Sequence, residues 1–258
     1  MKPQRLWCSI KDIVKFVLIG FLASFLVIAN IAFAAPKNVT LTYQATRNGK
    51  PFAKVTETFK QTGDQYVIES VTEGVGLAAL FGKRILKSEG LVTAEGLQPR
   101  HFEQHQGDNE KKTVYADFDW IVNQLSMKNK GNLTTEPLAK GTQDVASFPY
   151  QWMLFPPKSD EVSLPITTGK KQRVYSYKIV ERDVSLTVDA GQFNTMHLSN
   201  ASENGGGNEK EFWLAVERFY LPVKIIMREE NGAIIEQTLT SIDTVSYTHL
   251  TLPTNREV

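Results

Sequence analysis

From Val39 onward, apolar and polar residues trade places at every second position: Val39, Leu41, Tyr43 and Ala45 are separated by Thr40, Thr42 and Gln44. An extended strand turns that order into one buried face and one wetted face, because its side chains point to opposite sides in turn. Asn48-Gly49 follows, a pair that tolerates positive φ and closes a tight hairpin. The returning strand runs from Phe52 to Gln61, Gly63-Asp64 turns it, and Gln65 to Glu73 forms a third. The chain therefore opens as an antiparallel meander.

The same grammar continues. Strands are expected at Ile85 to Thr93, Pro99 to Gln106, Thr113 to Trp120 and Ile121 to Lys128, with turns at Gly107-Asp108-Asn109 and Lys130-Gly131-Asn132. They resume at Val162 to Thr167, Arg173 to Glu181, Val184 to Asp189 and Phe193 to Asn200. A Gly-rich loop, Asn204 to Asn208, precedes Glu211 to Val216, and Leu221 to Glu229 returns as Ala233 to Asp243 across Asn231-Gly232. One segment departs from the pattern. Residues 144–155, DVASFPYQWMLF, open with a capping-type Asp and stop at Pro156-Pro157, which predicts a short helical piece plugging a curved sheet. Many short strands with hardly any helix predict an all-β fold: an antiparallel β-barrel or nearly closed curved sheet, since closure removes exposed edges. A two-sheet sandwich is the alternative. An outer-membrane barrel fits less well, because no lipid-facing apolar band is sustained from strand to strand.

Residues 1–34 read differently. Lys2, Arg5, Lys11 and Lys15 precede an apolar run from Phe16 to Phe33 that ends in Ala32-Phe33-Ala34, the layout of a secretory signal peptide. Cleavage before Ala35 and a periplasmic address follow, with no stable membrane span left. An uncleaved inner-membrane anchor is the competing reading, because the run approaches the ~20 residues that span a bilayer. The sole cysteine, Cys8, lies in the positive flank, so the rest of the chain has no disulfide, Cys-based zinc site or Cys nucleophile. Beyond residue 34 the charges are 25 basic against 27 acidic, and no basic stripe remains to neutralise phosphates. Nucleic acid is not an expected partner. A single domain is predicted over 35–246. The end, Tyr247 to Val258, resembles translated sequencing-adapter read-through and is expected to be an artefactual tail, with a genuine strand and turn as the other reading; His249 carries no functional weight.

Several stretches together resemble the bacterial exported family called domain of unknown function 3108: Ser88-Glu89-Gly90, Leu97-Gln98-Pro99, Gln143 to Ser147, Ala190 to Thr195, and Phe212-Trp213-Leu214-Ala215 with Leu221-Pro222-Val223-Lys224. Glu217 stands where the family often has Asp. The resemblance covers nearly all of the chain after the leader. It implies a periplasmic β-barrel-like domain of unknown role and supplies no catalytic residue.

Few residues suggest chemistry. His101, Glu103 and His105 alternate on one strand and share a face, a weak metal candidate lacking a nameable further ligand; a solvated strand face explains the same residues and is the preferred reading. His197 stands alone and reads as a structural histidine. Gly74-Val75-Gly76-Leu77-Ala78-Ala79 matches a loose dinucleotide fingerprint, but no strand–helix alternation surrounds it, so it reads as a turn into a small apolar cap ending at Phe81-Gly82. No cofactor is expected. The aromatic residues Phe81, Phe148, Trp152, Phe155 and Trp213, with Tyr150 and Trp120, are candidates to line an apolar cavity or simply to fill the core. The function expected is non-enzymatic: a periplasmic binding or scaffold protein holding an apolar or lipid-like envelope ligand. An envelope-assembly factor that meets another protein is the alternative, and a cell-wall polymer hydrolase is a third.

Overall fold

The computed structural model describes residues 35–107, 112–200 and 209–245. The expected leader, the turn at Asp108-Asn109, the Gly-rich loop and the terminal tail lie outside the described residues.

Fifteen strands form one sheet among these residues. The chain walks outward through β1 (Asn38–Arg47), β2 (Lys50–Thr62), β3 (Gln65–Gly74), β4 (Arg84–Thr93), β5 (Gly96–Gln106), β6 (Val114–Asp119), β7 (Gln124–Asn129) and β8 (Asn132–Pro137). It crosses over through β9 (Gln143–Asp144) and one α-helix, α1 (Phe148–Leu154). It then walks back through β10 (Glu161–Thr167), β11 (Gln172–Val188), β12 (Gly191–Ser199), β13 (Glu209–Ala215), β14 (Leu221–Arg228) and β15 (Ile234–Val245), which pairs with β1. Every pairing is antiparallel except β9 with β10.

The sheet is not closed: β8 is one edge and β9 the other. It rolls until the second edge lies inside the first. Thr167 Oγ1 donates to Met127 Sδ at 3.3 Å, and the Cα of Gly169 faces the side chains of Val114 and Phe102, all three on the inner face of β5 to β7. Gln143 on β9 donates to the Leu97 carbonyl of β5 at 2.7 Å, and Gln172 reaches the Pro137 carbonyl at 3.1 Å. Side chains therefore tie the two arms where no main-chain ladder does. Rolling hides the apolar face and keeps the inner edge strand from water.

The alternation is realised as burial. Val39, Leu41, Tyr43 and Ala45 face inward, as do Val55 and Phe59 on β2 and Tyr66 and Ile68 on β3. Asn48 and Gly49 both take positive φ, 50° and 75°, as a tight hairpin between right-twisted strands requires. Helix α1 lies inside the roll and divides its residues between two core clusters: Tyr150 and Met153 join one, Phe148 and Trp152 the other. It is shorter than the 144–155 expected. Asp144 Oδ1 accepts from the amides of Ala146 and Ser147 at 2.8 Å each and makes a turn before the helix rather than its first residue.

Two local expectations change, and one strand has no counterpart among those expected. The strand expected from Ile121 begins at Gln124, because Asp119 Oδ1 accepts the amides of Ile121 and Val122 and folds them into an exposed turn. The strands expected at 173–181 and 184–189 are one strand, β11, kinked around Asp183, whose φ is 60°. Strand β8 carries no apolar alternation since neither of its faces is buried, and it is an edge. No helix among the described residues is long and apolar enough to cross a membrane.

Candidate functional site

Inside the roll, between the inner face of β2 to β5 and that of β13 to β15, lies a cavity of about 250 Å³, partly open to solvent. Its apolar wall is built from Val55, Leu86, Phe148, Phe212, Ile225 and Met227. Its polar wall holds Glu57, Ser70, Arg84, Gln104, Lys210 and Gln237. All of these arrive by strand parity. Glu57 lies between inward Val55 and Phe59, Arg84 two residues before Leu86 and four before buried Ser88, and Lys210 two before buried Phe212.

The charged groups are unevenly matched. Glu57 accepts from Ser70 Oγ and from Tyr150 Oη, both at 3.3 Å, and burial raises its pKa above the ordinary carboxylate value. Burial also lowers the Lys210 ammonium to about 8, and the nearby Arg84 guanidinium pushes it the same way. The Lys210 side chain is half-buried where it stands in the cavity wall. At neutral pH it still holds its proton. Arg84 Nη2 donates to Gln104 Oε1 at 2.9 Å, and Lys210 Nζ lies 5.5 Å from the centroid of the Phe148 ring. Gln237 leaves its buried Oε1 without a partner among the described residues.

Beside the cavity runs a buried polar network. Tyr66 Oη and Ser88 Oγ are 3.1 Å apart, Ser88 Oγ donates to Asp144 Oδ2 at 2.6 Å, and Ser147 Oγ accepts the Asp144 amide at 2.9 Å. Burial raises the Asp144 carboxyl to about 6, although its hydrogen bonds act in the opposite sense. Three of the stretches that carry the family resemblance meet here: Ser88 bonds Asp144, the Leu97 carbonyl accepts from Gln143, and Gly90 pairs with Pro99 at an irregularity in the β4–β5 ladder. They fasten the seam of the roll.

The aromatic candidates separate. Phe148 lines the cavity. Trp152 is 1 % exposed in a ring cluster with Phe148, Tyr177 and Phe212, one layer behind the wall. Phe155 is half-exposed past the end of α1, and Phe81 is 76 % exposed in a 3₁₀ turn over residues 76–81. Trp213 faces the outer side of β13, stacked on His197 at 4.1 Å with Lys224 Nζ 5.3 Å from its centroid. His101, Glu103 and His105 share the outer face of β5 as spaced. Glu103 Oε2 lies 3.8 Å from His101 Nε2 and 3.3 Å from His105 Nε2, while His101 Nδ1 is 2.7 Å from Asp117 Oδ1. Among the described residues no group of three or more such side chains is arranged to hold a metal. Lys210, Arg84 and Glu57 are not among the residues that sequence reasoning singles out, though each is a charged residue at an inward parity.

A crystal structure of a beta-barrel-like protein of domain of unknown function DUF1849 from Brucella abortus is similar in fold, with a TM-score of 0.54 and 10 % identity over 83 % of this chain and 100 % of that one. No curated protein matches the sequence. Residues 40–240 match the family described as "Protein of unknown function (DUF3108)", and the chain belongs to it.

Proposed function

We propose that this protein is a non-enzymatic ligand-binding module of the cell envelope, exported by residues 1–34, that holds a small molecule with an apolar part inside the rolled sheet. The observation that carries this reading is the hollow itself. Interiors normally close to organic-crystal density, so a 250 Å³ space with a half-apolar, half-polar wall is unlike ordinary core. At ~30 Å³ per water-sized group it has room for about eight heavy atoms, enough for a short chain or the head of a longer one whose tail leaves through the opening.

The neutral apolar fluorophore N-phenyl-1-naphthylamine, whose phenylamino end fits the hollow while its naphthyl ring lies in the opening, tests the reading. It is expected to bind saturably, and Thr72→Trp, which places a large ring in the cavity wall that Thr72 of β3 helps to line, is expected to abolish binding without lowering the melting temperature. A protein that ignores the probe, or a Thr72→Trp variant that binds it as before, overturns the assignment.

A second reading rests on the 3₁₀ turn, where Leu77, Leu80 and Phe81 are 84 %, 83 % and 76 % exposed, an unusual local density of uncovered apolar surface. It supports an envelope-assembly role in which this turn meets another protein. In-cell crosslinking from position 80 that recovers no reproducible partner overturns it.

A further inference from the structure

The cavity's charges name the ligand's polar end; this step rests on the binding reading above. An inward-facing cation is costly unless something compensates it. Here two cations face one space, Lys210 on β13, which is half-buried, and Arg84 on β4, which stays exposed to solvent, and neither forms an ion pair with a carboxylate among the described residues. The acids beside Lys210 are committed elsewhere: Glu209 and Glu211 both turn to the outer face and meet Arg228, at 4.0 and 2.9 Å. Glu73, which follows Arg84's register partner Thr72 on β3, meets Lys83 at 2.7 Å. Glu57, the carboxylate in the cavity wall, is held by hydroxyls and not by either cation. Arg84 donates to a neutral amide, and Lys210 has the face of Phe148 below it.

Two like charges brought together around a hollow repel one another, and an anion placed between them relieves that repulsion. A guanidinium offers a planar fork and an ammonium a point charge, a pair suited to carboxylate or phosphate oxygens. Leu86, Phe148, Phe212, Ile225 and Met227 supply the apolar counterpart on the opposite wall. We infer that the cavity binds an amphipathic anion, its charged oxygens held by Lys210 and Arg84 and its short aliphatic part lying against the apolar wall.

Displacement of bound N-phenyl-1-naphthylamine separates this inference from the cavity reading beneath it. Octanoate and octyl phosphate are expected to displace the probe at concentrations about ten- to a hundredfold lower than octanol, the range a charge-assisted bond contributes. Which of the two anions is the stronger competitor distinguishes a carboxylate from a phosphate head. Inorganic phosphate, lacking a tail, is expected to compete weakly. Lys210→Met and, as a second variant, Arg84→Gln are each expected to narrow the gap between octanoate and octanol, read as the ratio of the two competitors against the probe's own affinity measured in the same variant. If octanol competes as well as octanoate, or both variants keep the preference, the inference falls although the cavity still binds. If the probe itself does not bind, both fall.

Discussion

Ser88 on β4 donates a 2.6 Å hydrogen bond to Asp144 on β9, and across that contact the inner edge of the rolled sheet is fastened to its opposite arm. Both side chains are fully buried. The bond matters because no backbone ladder joins the arms there.

The same contact predicts a pH dependence. The native state keeps a proton on Asp144 to about pH 6, whereas the unfolded chain releases it near its ordinary value of 3.8. Protonation therefore stabilises the fold most fully below the unfolded value, and that contribution is lost as pH rises through about 6. The span corresponds to about 3 kcal/mol. Glu57, raised by burial, acts in the same direction. Urea unfolding at pH 5 and 7.5 is expected to show the wild type weakened at the higher pH. Asp144→Asn, whose amide still accepts from Ala146 and Ser147 and donates to Ser88, is expected to flatten most of the slope; a variant with the wild-type slope counts against the assignment.

Trp152 gives a graded test of the aromatic cluster. Trp152→Ala empties a site bounded by Phe148, Tyr177 and Phe212 and is expected to cost about 3–5 kcal/mol in chemical denaturation. Trp152→Phe keeps a ring and removes an indole N–H that has no partner among the described residues, so its cost is expected to be less than half as large.

Two glycines separate conformational cost from collision. A methyl at Gly49 meets nothing within 4 Å, so Gly49→Ala costs only the positive-φ strain of about 1–2 kcal/mol. A methyl at Gly90 meets the Gln98 carbonyl and the Pro99 Cα, backbone atoms that cannot yield without disturbing the β4–β5 register. Gly90→Ala is expected to lower the melting temperature more than Gly49→Ala, and the reverse order contradicts the packing described.

Ligand capture has its own pH signature. Lys210 loses its proton near pH 8, with Arg84 from β4 and Glu57 from β2 facing the same hollow. Octanoate binding is expected to weaken as pH rises from 7 to 9, and Lys210→Arg, which stays charged, is expected to hold its affinity. Equal weakening in both proteins would exclude Lys210 as the titrating group.

Much of the architecture is written in local order. Val39 to Ala45 show which face is inward, Asn48-Gly49 where the chain reverses, and Pro156-Pro157 where the helical piece must already have ended. Strand β8 lay beyond such reading, because an edge with both faces exposed leaves no apolar rhythm. So did the turn at Ile121 and Val122, where a single Asp119 carboxylate outweighs β-branched propensity.

The sequence by itself determined an antiparallel β-sheet with a short helical insert and showed which side chains share a face, because parity and turn chemistry act over a few residues. The tertiary structure alone decided that the sheet rolls without closing, that Asp144 meets Ser88, and that Lys210 and Arg84, 126 positions apart, share one hollow. Parity says that a charge points inward; what it meets there depends on the curvature of fifteen strands together, and no stretch of a few residues encodes that.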